Sequence, residues 1–120
     1  MATWRPSVLC PVDFSAASRV ALRHAVAIAS HFGATVTVVT VNDPILAETA
    51  ALKLGSDWLT RQCLTELESE VAKTFAGRVL ENVEIRYEIA TGAPAPEILR
   101  VARERRSDLI VMSSRGLSGV

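Results

Sequence analysis

Two segments far apart in the chain carry the residues best suited to hold a ligand. Near the start, the apolar run Ser7-Val8-Leu9-Cys10-Pro11-Val12 stops on Asp13, with Phe14 and Ser15 following. Near the other end, Asp108-Leu109-Ile110-Val111-Met112 runs into Ser113-Ser114-Arg115-Gly116-Leu117-Ser118-Gly119. A carboxylate at a strand tip accepts hydrogen bonds from ribose hydroxyls or an adenine amino group. A loop of small residues lets backbone N–H groups close on phosphate oxygens with no catalytic side chain involved. Each segment also has an ordinary explanation: Asp13 can cap a helix together with Ser15, and the Ser/Gly run can be a plain surface loop. At the tips of strands expected to be neighbours, the two together favour a nucleotide site.

Other chemistry finds little support. No G-x-x-x-x-G-K-[ST] occurs, and no G-x-G-x-x-G follows the first apolar run, so neither a P-loop nor a dinucleotide fingerprint is present. A phospho-receiver domain wants an acidic cluster, and Asp13 stands alone. His24 and His31 fall two helical turns apart, about 10.5 Å of axial rise, too far to share a metal unaided. Cys10 and Cys63 sit in apolar patterns and read as buried reduced thiols, small hydrophobes in effect. No Ser/His/Asp or Cys/His arrangement is readable, so no catalytic residue is assigned.

The elements that must position the two segments follow from hydrophobic pattern. The continuous run Ser7–Val12 reads as a parallel strand covered on both faces. Ser15 is an N-cap candidate for a helix over about 16–32, on Ala21, Ala25, Ile28 and Phe32, with Gly33 as its stop. Ala34–Val41, rich in β-branched residues, is a second strand closed by Asn42-Asp43-Pro44. The stretch Ile45–Ser56 is hard to assign and reads as a mobile or partly helical connector. A second helix over about 57–75 carries Leu59, Cys63, Leu67, Val71 and Phe75 every fourth residue and ends at Gly77. Val83–Ile89 alternates apolar and charged, the mark of a half-buried strand at or near a sheet edge. Thr91–Glu97 opens a further helix that runs to about Arg105, with Pro96 and Glu97 suited to its first turn. Arg103, Arg105 and Arg106 crowd its last turn, where positive charge complements the helix dipole. Asp108–Met112 is the fourth strand. Strict alternation of strand and helix predicts an α/β fold, an open parallel sheet with helices on both faces.

Composition sets the outer bounds. The 120 residues suffice for one domain, and 49% are apolar. Thirteen basic residues balance thirteen acidic ones, which argues against nucleic-acid binding through a basic face and against a polybasic membrane anchor. The longest apolar runs fall far short of the roughly 20 residues a bilayer span needs, and no signal peptide is apparent. A cytoplasmic location is the expectation.

Read together, these segments resemble the universal stress protein family. Val8–Ser15 is similar to that family's opening strand with its V-D-x-S element. Thr91-Gly92-Ala93-Pro94 with Glu97-Ile98-Leu99 resembles its third-strand turn, and Asp108–Met112 with the Ser/Gly run resembles its fourth strand and phosphate loop. The similarity runs through the whole chain in order. It implies an adenine nucleotide alpha-hydrolase-like (Rossmann-like) sheet of order 3-2-1-4-5. Residues 1–120 then form a single domain whose last helix and fifth strand are not included, and the native polypeptide is expected to continue with them. In the family that last strand commonly pairs with a second subunit, so a homodimer is expected.

The resemblance also implies a stress-response regulatory protein that binds ATP, or AMP or ADP, with magnesium as an accompanying ion and without rapid turnover. Any ATPase activity would be slow. Pro11, Val12 and Asp13 would frame base and ribose, Val41 would offer backbone groups to the adenine edge, and Met112, Ser113, Ser114, Arg115 and Gly116 would line ribose and phosphates. The ATP-binding branch carries G-x-x-G followed later by G-[ST]. Its second glycine aligns with Gly116, its first with Ser113, and the closing G-[ST] would lie beyond Val120. The serine is a departure that narrows backbone freedom if the family glycine has positive φ. The alternative is a dimeric interaction scaffold of the same fold that binds no nucleotide. An adenylating enzyme of the wider fold group is disfavoured, since neither S-G-G-x-D-S nor H-x-G-H occurs.

Overall fold

The opening apolar run becomes β1 (Ser7–Pro11), the central strand from which the site is built. The computed structural model describes residues 5–76, 78, 80 and 82–114. After β1 come α1 (Ala16–Phe32), β2 (Thr35–Asn42), α2 (Pro44–Leu54), α3 (Trp58–Thr74), β3 (Glu84–Thr91), α4 (Pro94–Glu104) and β4 (Leu109–Ile110). All strand pairings are parallel and the order is β3-β2-β1-β4. This is the sheet the alternating pattern predicts. It agrees with the 3-2-1-4 part of the order that the family resemblance implies.

Alternate residues of each strand feed opposite faces. Val8, Cys10, Val36 and Val38 point to one side, where Leu22, Ala25 and Ala29 of α1 and Leu67 and Val71 of α3 close over them. Leu9, Val39 and Ala90 point to the other, against Ile98 and Val101 of α4. The continuous apolar character of β1 and β2 is the direct result: both faces are covered. β3 lies at the sheet edge, as its alternation predicts. Ile85, Tyr87 and Ile89 join the first core, while Glu84 pairs with Arg86 and Glu88 with Arg105 on the other face.

The helix ends follow local chemistry. Ser15 caps α1, its Oγ accepting from Ser18 N at 3.1 Å, and Gly33 ends the helix in the left-handed conformation at φ 66°. The expected end of α3 at Gly77 lies outside the described residues. Several boundaries shift, β3 for one running on to Thr91. α4 starts at Pro94, so Pro96 and Glu97 fall inside its first turn. β4 is short, although Asp108 N and Val111 N continue the ladder to Ser7 O and Leu9 O at 2.7 and 2.9 Å.

The one missed element is α2. The segment read as a mobile or partly helical connector is a regular helix, capped by Asp43, whose Oδ1 accepts from Ile45 N and Leu46 N. Its sequence is apolar nearly all round, so no stripe stands out, and only Ala50 is buried. Asp43-Pro44 is nonetheless a cap followed by an N1 proline.

Candidate functional site

The strands part company at their carboxyl ends, and a cavity of about 480 Å³ opens there. The last contact between β1 and β2 is Val12 N donating to Val39 O at 2.8 Å. Beyond it the chain turns away through Asp13-Phe14-Ser15 into α1. Both neighbours of a parallel strand are bonded alternately, so a residue's N–H and C=O point to the same side and those two further on repeat the direction. Val39 faces β1, so Val41 does too, but β1 has already ended. The main-chain groups of Val41 are therefore directed at the cavity. Asn42 faces the opposite way, and its carbonyl accepts from Gly92 N at 3.0 Å.

Six of the residues singled out in the sequence meet around this space: Pro11, Val12 and Asp13 from the end of β1, Val41 from β2, and Met112 and Ser113 after β4. Pro11, Val12 and Val39 are buried and give an apolar floor. Ser114 is exposed and does not line the cavity. Arg115 and Gly116 lie outside the described residues. The adjacency on which the pairing of the two segments depends is present: β1 and β4 are neighbours, with Val8 opposite Leu109 and Leu9 opposite Ile110.

Asp13 supports the helix cap and also lies on the cavity. One carboxylate oxygen accepts from Ser15 N at 3.1 Å and from the Ser15 hydroxyl, which orients the capping residue of α1. The carboxylate is also exposed at the cavity wall. Partial burial pushes its pKa up, but hydrogen bonds from the side chain and backbone of Ser15, and from Ser18, outweigh this. Together they hold it below the ordinary carboxyl value. It is an anion at neutral pH and accepts hydrogen bonds only.

The cavity has walls that pattern reading did not supply: Asn42 at the end of β2, Asp43 and Leu46 at the start of α2, Pro94 and Ile98 at the start of α4, and Phe14 and Ser18 on the α1 side. The available signal was positional. Asn42-Asp43-Pro44 and Ala93-Pro94 sit where a strand gives way to a helix at the carboxyl edge, where ligands of such sheets bind. Asn42 also reaches α3, its carboxamide lying 3.3 Å from Cys63 Sγ.

The two cysteines and two histidines weighed in the sequence do not line the cavity. Cys10 is buried in the core and burial pushes its thiol up to about 12, so it stays protonated. Cys63 is buried as a free cysteine. His24 and His31 are exposed, and His31 stacks edge-on against Phe32 at 4.7 Å. Among the described residues, no group of three or more His, Cys, Asp and Glu side chains could hold a metal. Among them also, no helix is long and apolar enough to cross a membrane.

A parallel sheet of order 3-2-1-4 flanked by helices defines an α/β domain, and its cavity, apolar-floored and rimmed by a carboxylate and open backbone groups, lies at the carboxyl edge where ligands of such sheets bind. The model of the universal stress protein family matches residues 5–120, and the chain belongs to that family. It is 33% identical over 115 residues to the universal stress protein MJ0531 of Methanocaldococcus jannaschii, covering 94% of this chain and 66% of that one. The chain thus spans just under two-thirds of that relative's length. Its fold matches that of the protein MJ0577 with a TM-score of 0.71 at 23% identity, over 95% of this chain and 78% of the other. A universal stress protein solved in complex with cAMP matches at a TM-score of 0.64 and 21% identity, over 88% and 74%.

Proposed function

We propose that the cavity at the carboxyl edge of the sheet binds an adenine nucleotide, ATP or a close relative, and that the protein is a nucleotide-responsive regulator in stress responses. The observation that carries this is the meeting of Asp13 with Val41 and Met112 around one apolar-floored space. Its volume of about 480 Å³ lies in the range of small-ligand pockets, roughly 300–1,000 Å³. The related protein solved with cAMP supports an adenine ligand for this family.

Each part of the ligand has a complement. Pro11, Val12 and Val39 offer apolar surface to the base. Val41 presents one main-chain donor and one acceptor, the pattern that pairs with adenine N1 and the exocyclic amine. The Asp13 carboxylate accepts from ribose hydroxyls. Met112 covers the sugar, and the loop Ser113–Gly116 is assigned to the phosphates on the family resemblance. Magnesium would enter bound to those phosphates. The bound nucleotide would be held without rapid turnover, in a homodimer located in the cytoplasm.

Calorimetry with ATP tests the assignment. Binding in the micromolar range that is lost when Val41 is replaced by proline, which removes the donor, is the expected result. A protein that takes up neither ATP nor AMP would leave the scaffold alternative, which Ser113 at the family's glycine position favours.

A further inference from the structure

Phe14 has a φ of 65°, in the left-handed region, where a bulky residue is an outlier. It follows Asp13 directly and lines the same cavity. Backbone strain of this kind persists only where surrounding contacts over-determine it. Two contacts do so here. The phenyl group packs half-buried against the core beneath α1 and α3. The carbonyl oxygen of Phe14 accepts from Arg19 Nη1 at 3.3 Å.

Arg19 is itself held from a different element. The same Nη1 lies 3.5 Å from Glu70 Oε1 on α3. Glu70 is 9% exposed, a buried charge that needs its partner. A line of contacts therefore runs from α3 through Glu70 and Arg19 to the turn that carries Asp13. None of these groups has to touch the ligand.

We propose that Arg19 is a positioning residue for the cavity: anchored by Glu70, its guanidinium holds Phe14 in the left-handed turn that presents the Asp13 carboxylate to the ligand. The part of this that concerns affinity rests on the nucleotide reading; the positioning of Asp13 does not. What separates Arg19 from an ordinary surface arginine is its hold on the backbone of Phe14. Glycine adopts the left-handed conformation at no steric penalty, so a glycine at position 14 should make Arg19 dispensable.

The experiment is a double-mutant cycle on Arg19→Gln and Phe14→Gly, read two ways: ATP affinity by calorimetry, and the Asp13 carboxyl titration by carbon NMR in the ligand-free protein. Arg19→Gln alone should weaken ATP binding about tenfold, the loss of one charge-assisted hydrogen bond, and move the Asp13 titration upward. In the Phe14→Gly background the same change should alter affinity less than about twofold and leave the titration where it was, because coupled sites are non-additive. Glu70→Gln, which keeps Arg19 and Phe14 intact, should move both readouts in the Arg19→Gln direction by a smaller amount. Equal effects of Arg19→Gln in both backgrounds, or none in either, would overturn the proposal. If the wild-type protein takes up no ATP, the nucleotide reading fails, and the titration in the cycle still decides the positioning role.

Discussion

The two ends of the sheet are made from the same strands and do opposite things. At the amino edge the main-chain groups close on one another. Thr35 N donates to Pro6 O at 3.0 Å, Asp108 N to Ser7 O at 2.7 Å, and Ser7 N to the Asp108 carboxylate at 2.8 Å. Arg5 Nε reaches Gly33 O at 3.2 Å. A small groove of about 180 Å³ lies there among the described residues, lined by Pro6, Val8, Ile28, Phe32, Ala34, Asp108 and Leu109. At the carboxyl edge β1 stops before β2, which runs on to Asn42, and the carboxylate next to the break is exposed. The difference is one of where strands end. Among the described residues, a ladder completed at the amino edge turns its main-chain groups on one another, whereas a strand that stops short leaves its neighbour's polar groups facing a cavity.

The contrast can be broken by substitutions that separate stability from binding. The core shared by both ends should give the largest effect. Leu22 is fully buried, and Leu22→Ala should lower unfolding free energy by about 3 kcal/mol, measured by urea denaturation, while the folded fraction keeps its nucleotide affinity. Next comes Asp13→Asn, which retains an acceptor for Ser15 but loses the charge. It should weaken ATP binding by about 1.5 kcal/mol in calorimetry with the melting temperature nearly unchanged.

At the other end, Asp108→Ala removes the acceptor for Ser7 N and should cost about 1 kcal/mol of stability with binding intact. If it weakened ATP binding as much as Asp13→Asn does, the division of labour between the ends would be wrong. The smallest effect is a pH dependence. The Asp13 carboxyl is held below its ordinary value of 3.8, so the unfolded chain binds its proton more readily. The stability it contributes is present above that ordinary value and fades as pH falls through the lower folded value. Denaturation curves across the acid range should show a shallower decline in Asp13→Asn than in the wild-type protein.

How much of this could be read in the sequence depended on whether an element's pattern was set by a single face. α1 and α3 bury one stripe each, so their spacing announced them. β1 and β2 are covered on both sides and read as unbroken apolar runs, while β3 gave away its edge position through Glu84, Arg86 and Glu88. α2 had no such face: Ile45, Leu46, Leu52 and Leu54 are exposed around it, and periodicity had nothing to report. The site divided along the same line. Asp13 and Met112 lie at strand tips that alternation locates, and they were legible. Asp43, Leu46 and Ile98 enter the cavity only because α2 and α4 start where they do, a matter of where helices begin in space. The left-handed turn at Phe14 was also hidden, because phenylalanine is not a residue that advertises positive φ.

A titration of the isotope-labelled protein with ATP, followed through its backbone amide NMR signals up to about 1 mM, the weak end of specific binding, puts the central claim to its most direct test. Saturable shifts at Asp13, Val41 and Ser113, with Ser7, Thr35 and Asp108 unmoved, are the result expected of a nucleotide site at the carboxyl edge. Signals that stay put throughout, or that move only at the amino edge, would contradict it.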